Sequence, residues 1–241
     1  YSILVFFATL FIYNFQRVFY VPLESKTLHS VRRAWIFKNP LTVKLLSIIG
    51  FLGVLISFFY TDFHIVFYLS PLLLLSLAYF APAIKLRKNA IFKLLTLVLV
   101  WTMVTAVVPI LLAHLSLKNT NSILHILIRF CFLAGICIPF DIRDLNIDKA
   151  DQISTLPHLL GEHKTRWLAV GFMIVYDLLI VLEFYLHILP ASIFIALLLS
   201  ALINTVLVGM SSSKQSEYFY VAGIDGTMIL QGVLLLGVAY L

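Results

Sequence analysis

Residues 122–164 read SILHILIRFCFLAGICIPFDIRDLNIDKADQISTLPHLLGEHK. The first part, 122–140, is an apolar run close to the ~20 residues that carry a helix across a bilayer. The second part turns abruptly polar and sets Asp141, Asp144, Asp148 and Asp151 in a chain that is 62% hydrophobic. The apolar span indicates the class of fold, and the acidic link is the first place to look for chemistry. At 100° per residue the four aspartates fall within an arc of roughly 80° on a helix. Like charges at such spacing repel by a few tenths of a kcal/mol per pair. Either water solvates that face or a cation is held there.

The span recurs along the chain. Apolar stretches cover about 1–20, 42–60, 64–82, 92–114, 122–140, 167–188, 190–210 and 220–241. Mean hydropathy is +1.05 and charged residues make up 12% of the chain, about half the share in a soluble domain. The expected fold is all-α: a polytopic transmembrane bundle of eight visible helices forming a single transmembrane domain over 1–241, with no internal repeat. Tyr1 opens directly in an apolar run with no charged segment before it. A further N-terminal helix is therefore expected upstream, nine in the full protein.

Basic residues sort by link. All of the 17 except Lys118 and Arg129 lie in or beside the links 14–44, 83–93, 141–166 and 211–217. That alternation predicts a cytoplasmic side for those links, in the plasma (inner) membrane, and an outer side for both visible ends. The excess of positive charge serves topology; no basic helix interleaved with aromatics points to nucleic acid. Cys131 and Cys137 lie inside an apolar run and read as packing residues rather than a disulfide or metal pair.

Asp141, Asp144 and Asp148 stand at i, i+3 and i+7, so a continuous helix would stack them on one face. Hard cations such as Mg²⁺ take carboxylate oxygens and keep waters or phosphates in their shell. At the membrane end of a bundle, such a site could hold Mg²⁺ against a diphosphate. The alternative is a solvated acidic face interleaved with Arg143 and Lys149.

Asp144-x-x-x-Asp148, followed by Thr155-Leu156-Pro157 and Gly161, resembles the second aspartate motif of the UbiA superfamily of intramembrane prenyltransferases. Tyr79-Phe80-Ala81-Pro82 with Lys85 and Arg87 is similar to the family's ending of an earlier helix. The resemblance spans the whole chain. It implies transfer of an isoprenoid from a prenyl diphosphate to an acceptor, with Mg²⁺ bridging the diphosphate to two facing motifs. By that resemblance Asp144 and Asp148 are catalytic metal ligands and Asp141 supports them. Asn14, Arg17, Lys85, Arg87 and Lys149 are the candidates for the diphosphate. The partners implied are a prenyl diphosphate or other isoprenoid lipid and the bilayer; acceptor, prenyl length and oligomeric state do not follow.

The family's first motif, Asn-Asp-x-x-Asp-x-x-x-Asp, falls on Asn14 to Pro22. Asn14 matches, but Phe15, Val18 and Pro22 occupy the aspartate positions. Half of the expected metal site is missing, although the guanidinium of Arg17 suits phosphate geometry. The alternative function is therefore a non-catalytic UbiA-fold protein that binds an isoprenoid or other lipid. A transporter has less support, since no inverted repeat or pair of broken helices is present. Elsewhere, Asp177 and Asp225 read as structural hydrogen-bonding groups, Glu183 as interfacial, and Arg129 as a residue that snorkels from the outer end of its helix. His158 and His163 read as loop residues.

Overall fold

The computed structural model describes residues 1–19, 31–61, 63–80 and 89–239. The described residues are helical, with no strand among them. Among the described residues six helices are long and apolar enough to cross a membrane: Pro40–Phe59, Ala90–Leu112, Thr120–Arg143, Glu162–Tyr185, Ala191–Gly209 and Phe219–Val238. Two shorter apolar helices, Ser2–Val18 and His64–Tyr79, lie on the remaining predicted stretches. Large apolar side chains face outward along these helices: Phe59 is 85% exposed, Phe67 72% and Ile229 72%. Lipid, not water, is the solvent that such a surface requires. The chain is a multi-pass membrane protein.

By its internal contacts the chain forms two compact units, Tyr1–Lys88 with Ile147–Ile153, and Asn89–Asn146 with Ser154–Leu241. In the first unit Ser2–Phe19 packs along Pro40–Phe59. The buried stripe of the second helix is Val43, Ser47, Gly50, Gly53 and Ser57. Helices in lipid gain little from hydrophobicity and associate where small residues let backbones approach. Gly50 meets that condition: a Cβ there would lie 2.5 Å from the Phe11 backbone nitrogen. Hydroxyls on these apolar helices return to carbonyls of their own helix, as Thr9 does to Val5 at 2.8 Å and Ser76 to Leu72 at 2.7 Å. No water is needed to satisfy them.

In the second unit Thr120–Arg143 packs against Ala90–Leu112 and Glu162–Tyr185, which in turn adjoins Ala191–Gly209. The Thr120–Arg143 span is 56% buried, more than any other. Phe132, Ile138, Ala169, Met173, Tyr176, Ile180, Ala201, Val208, Tyr220 and Ile224 form its core. Cys131 and Cys137 are both free, and Cys131 lies in the same core. Two helices contain π-helical turns, Met103–Val107 and Phe219–Ile224. The wider ring of such a turn shifts the side chains beyond it around the axis, and such turns recur at functional sites.

Two sequence expectations change. The aspartates do not share one helix: Thr120–Arg143 ends with Asp144 as its C-cap at φ −87°, and Asp148 belongs to a separate short helix, Leu145–Ala150. Gln152, at φ 57°, turns the chain out of that helix. Spacing alone assumes an unbroken helical register, and the break at Asp144 removes it. Arg129 does not snorkel; its Nε donates to Thr105 Oγ1 on the neighbouring helix at 2.9 Å.

Candidate functional site

The acidic link begins at the Arg143 end of the second unit's central helix. Asn89 caps the start of Ala90–Leu112, its side chain accepting from the Ile91 and Phe92 amides at 3.0 and 3.2 Å. One turn on, Lys93 points inward and its Nζ lies 2.8 Å from Asp141 Oδ1. Each charge sits at the unfavourable end of its own helix dipole, a cation near an N-terminus and an anion near a C-terminus. Both are largely withdrawn from solvent, with side-chain exposures of 11% and 9%. Their pairing is what makes either tolerable there.

Asp144 is held differently. Arg143 Nε donates to Asp144 Oδ1 at 2.8 Å and Nη2 donates to Oδ2 at 2.9 Å. This is the two-pronged geometry in which a guanidinium binds a carboxylate most firmly. The Arg143 guanidinium also lies over the Phe140 ring at 4.8 Å and the Tyr220 ring at 5.8 Å. Tyr220 follows the link 211–217 and is tied to it: its hydroxyl accepts from the Ser212 amide at 3.0 Å and donates to the Ser212 carbonyl at 2.7 Å. The π-helical turn that begins at Phe219 carries this ring.

Beyond the aspartates, Thr155 is fully buried and its hydroxyl pairs with His158 Nδ1 at 2.8 Å. The histidine therefore braces the turn before Gly161 rather than lying loose in a loop. Gly161 adopts φ 81°, a left-handed conformation that glycine enters at little cost. The following helix starts with Glu162, whose two carboxylate oxygens accept from Arg166 at 3.0 Å and from the Ser213 hydroxyl at 2.7 Å. Lys149 is exposed.

Lys149, Asp148, Asn14 and Arg17 belong to the first unit. Asp148 is buried, and its backbone carbonyl accepts from the Ile153 amide at 2.8 Å. Asn14 is 3% exposed; its amide nitrogen donates to the Leu10 carbonyl at 2.7 Å and its oxygen accepts from Arg17 at 3.5 Å. Arg17 and Lys44 line a small cleft of about 90 Å³ whose walls are Val18, Ile36, Phe37, Pro40 and Val43. Lys85 and Arg87 lie outside the described residues.

These residues do not fit a Mg²⁺ site as they stand. Asp141 is engaged by Lys93, and both oxygens of Asp144 are engaged by Arg143. Among the described residues no three His, Cys, Asp or Glu side chains come together in a way that could hold a metal ion. Of the two cations that compensate the aspartates, Arg143 was legible as a neighbour in the acidic face, but Lys93 only as a topology charge. The inward aim of Lys93 depends on helix contacts that a linear pattern does not carry. Lys44, opposite Arg17 in the cleft, was likewise legible only as one more basic residue of its link.

The chain matches no protein-family model, no curated protein and no solved structure. Its function must be argued from the arrangement of its own side chains.

Proposed function

We propose that this protein is a UbiA-like intramembrane protein that binds an isoprenoid or other lipid bearing a phosphate group, without Mg²⁺-dependent prenyl transfer. One observation carries the reading: Asp141 and Asp144 are each already neutralised by a cation of the chain itself. A diphosphate-bound metal would have to compete with both cations for those carboxylates. The segment that should supply the opposing carboxylates offers Asn14 and Arg17 instead. The Arg17–Lys44 cleft supports the same reading, since it combines two cations with apolar walls. A phosphate would have to share Arg17 with the contacts that side chain already makes, with Lys44 and the apolar walls beside it. The basic asymmetry of the links supports an inner-membrane location, with this cleft on the cytoplasmic side.

The second reading is the prenyltransferase itself, favoured by the Asp144-x-x-x-Asp148 spacing with Thr155 and Gly161 downstream. In that case the ligand would displace Arg143 from Asp144. Binding of radiolabelled farnesyl diphosphate to the purified protein, with and without EDTA, separates the two. Saturable binding that survives EDTA and the Asp144→Ala and Asp148→Ala substitutions, but weakens about tenfold in Arg17→Gln with Lys44→Gln, is the expected result. Mg²⁺-dependent release of diphosphate, abolished by Asp144→Ala, would establish the transferase instead.

A further inference from the structure

Arg129 lies well inside a helix long and apolar enough to cross a membrane. At 1.5 Å per residue it stands about 14 Å from the Thr120 end of its helix and about 21 Å from the Arg143 end. Its Nε bonds to the neutral hydroxyl of Thr105, and its guanidinium lies over the Phe132 ring at 5.3 Å. Among the described residues no carboxylate pairs with it, whereas Lys93, Arg143 and Arg166 each have one. A guanidinium at this depth without a counter-ion is costly, and such residues generally face a partner or a pathway.

The surroundings are arranged for one. Thr105 sits in the π-helical turn Met103–Val107, the distortion that sets its place on the helix facing Arg129. Its hydroxyl donates to the Trp101 carbonyl at 2.6 Å, which leaves a lone pair for Arg129 Nε. One face of the cation is thereby fixed, while its two Nη groups make no hydrogen bond among the described residues. Arg129, Thr105 and Trp101 are all partly accessible, and His125, one turn away on the same helix face, is exposed. A ligand therefore has an approach. Behind Phe132, whose ring lies 5.1 Å from that of Tyr176, the polar chain continues from Tyr176 to Gln231 at 2.7 Å and to Ser200 at 3.3 Å.

We propose that Arg129 is the recognition point for the carboxylate of a long-chain amphiphile that enters the apolar layer. A single cation balances a single charge, and a carboxylate matches the planar fork of the guanidinium. A diphosphate would bring several charges to one guanidinium at a depth where each excess charge is penalised. An intact phospholipid keeps its phosphate at the interface, above this level. This site is independent of the Arg17–Lys44 cleft and of the phosphate ligand assigned to it.

The test is equilibrium binding of radiolabelled palmitate to the purified protein in a non-ionic detergent, set against methyl palmitate and hexadecanol. The expected result is saturable palmitate binding at least tenfold tighter than either neutral analogue. Arg129→Gln should reduce palmitate affinity at least tenfold, Arg129→Lys should retain part of it, and farnesyl diphosphate binding should be unchanged in both. Equal binding of palmitate and its methyl ester by the unaltered protein overturns the proposal. So does undiminished palmitate binding by Arg129→Gln that elutes as the unaltered protein does. If that variant does not fold, Thr105→Val with the acid–ester comparison decides: a ratio that stays at one in both proteins rejects the site.

Discussion

Lys93 Nζ lies 2.8 Å from Asp141 Oδ1, and this buried contact joins the first turn of one membrane helix to the last turn of another. Removing either partner strands a charge in a poorly hydrated place, which costs about 3–5 kcal/mol in comparable sites. Lys93→Met and Asp141→Leu should each lower the unfolding temperature in detergent markedly. The double variant should recover most of the loss, because neither charge is then left alone. Additive effects in this double-mutant cycle would refute a direct pair.

Asn204 supplies the opposite case. It is fully buried, and among the described residues neither its amide oxygen nor its amide nitrogen has a hydrogen-bond partner. Leucine has nearly the same shape and carries no such unmet demand. Asn204→Leu should therefore stabilise the protein, by about 1–3 kcal/mol on the cost of an unsatisfied buried group. A lower unfolding temperature for that variant would mean the amide is satisfied by something in the membrane.

Gly50 tests the packing of the first unit. Valine there would press against the Phe11 backbone, which cannot rotate aside as a side chain can. Gly50→Val should destabilise the pairing of Ser2–Phe19 with Pro40–Phe59 by at least about 1–3 kcal/mol. Cysteines placed across that helix pair should then crosslink more slowly, while Gly237→Val, whose added carbon meets nothing within 4 Å, should leave crosslinking unchanged.

Tyr220 fastens the link 211–217 through both bonds of its hydroxyl to Ser212. Tyr220→Phe keeps the ring beneath Arg143 but deletes those bonds, at a cost of about 1–2 kcal/mol. The readout is local. Trypsin should cleave after the exposed Lys214 several times faster in the variant, and cleavage elsewhere should keep its rate.

What the sequence revealed and what it concealed divide on physical grounds. The apolar stretches folded as helices because their length and hydropathy are local properties that a bilayer reads directly. The acidic link was recognised as a feature, but its geometry was not. Nothing in the composition of 140–148 announces that the helix stops at Asp144, and the stack of aspartates depended on its continuing. One partner of those aspartates, Lys93, is far away in sequence and was counted only for its sign, whereas Arg143 is adjacent and was already read as part of the acidic face. Arg129 was placed by its distance from a helix end, whereas a hydroxyl on a neighbouring helix decided its direction.

The turn Met103–Val107 has a consequence for the ancestry of this chain. A π-helical turn is geometrically one residue too many in an α-helix. Deleting that residue would restore regular winding and rotate everything on one side of it by about 100° relative to the other. Thr105 would then leave Arg129. In a comparison among relatives, a single-residue gap between 101 and 108 should thus travel with the loss of arginine at position 129, so that an insertion and a charge are inherited together.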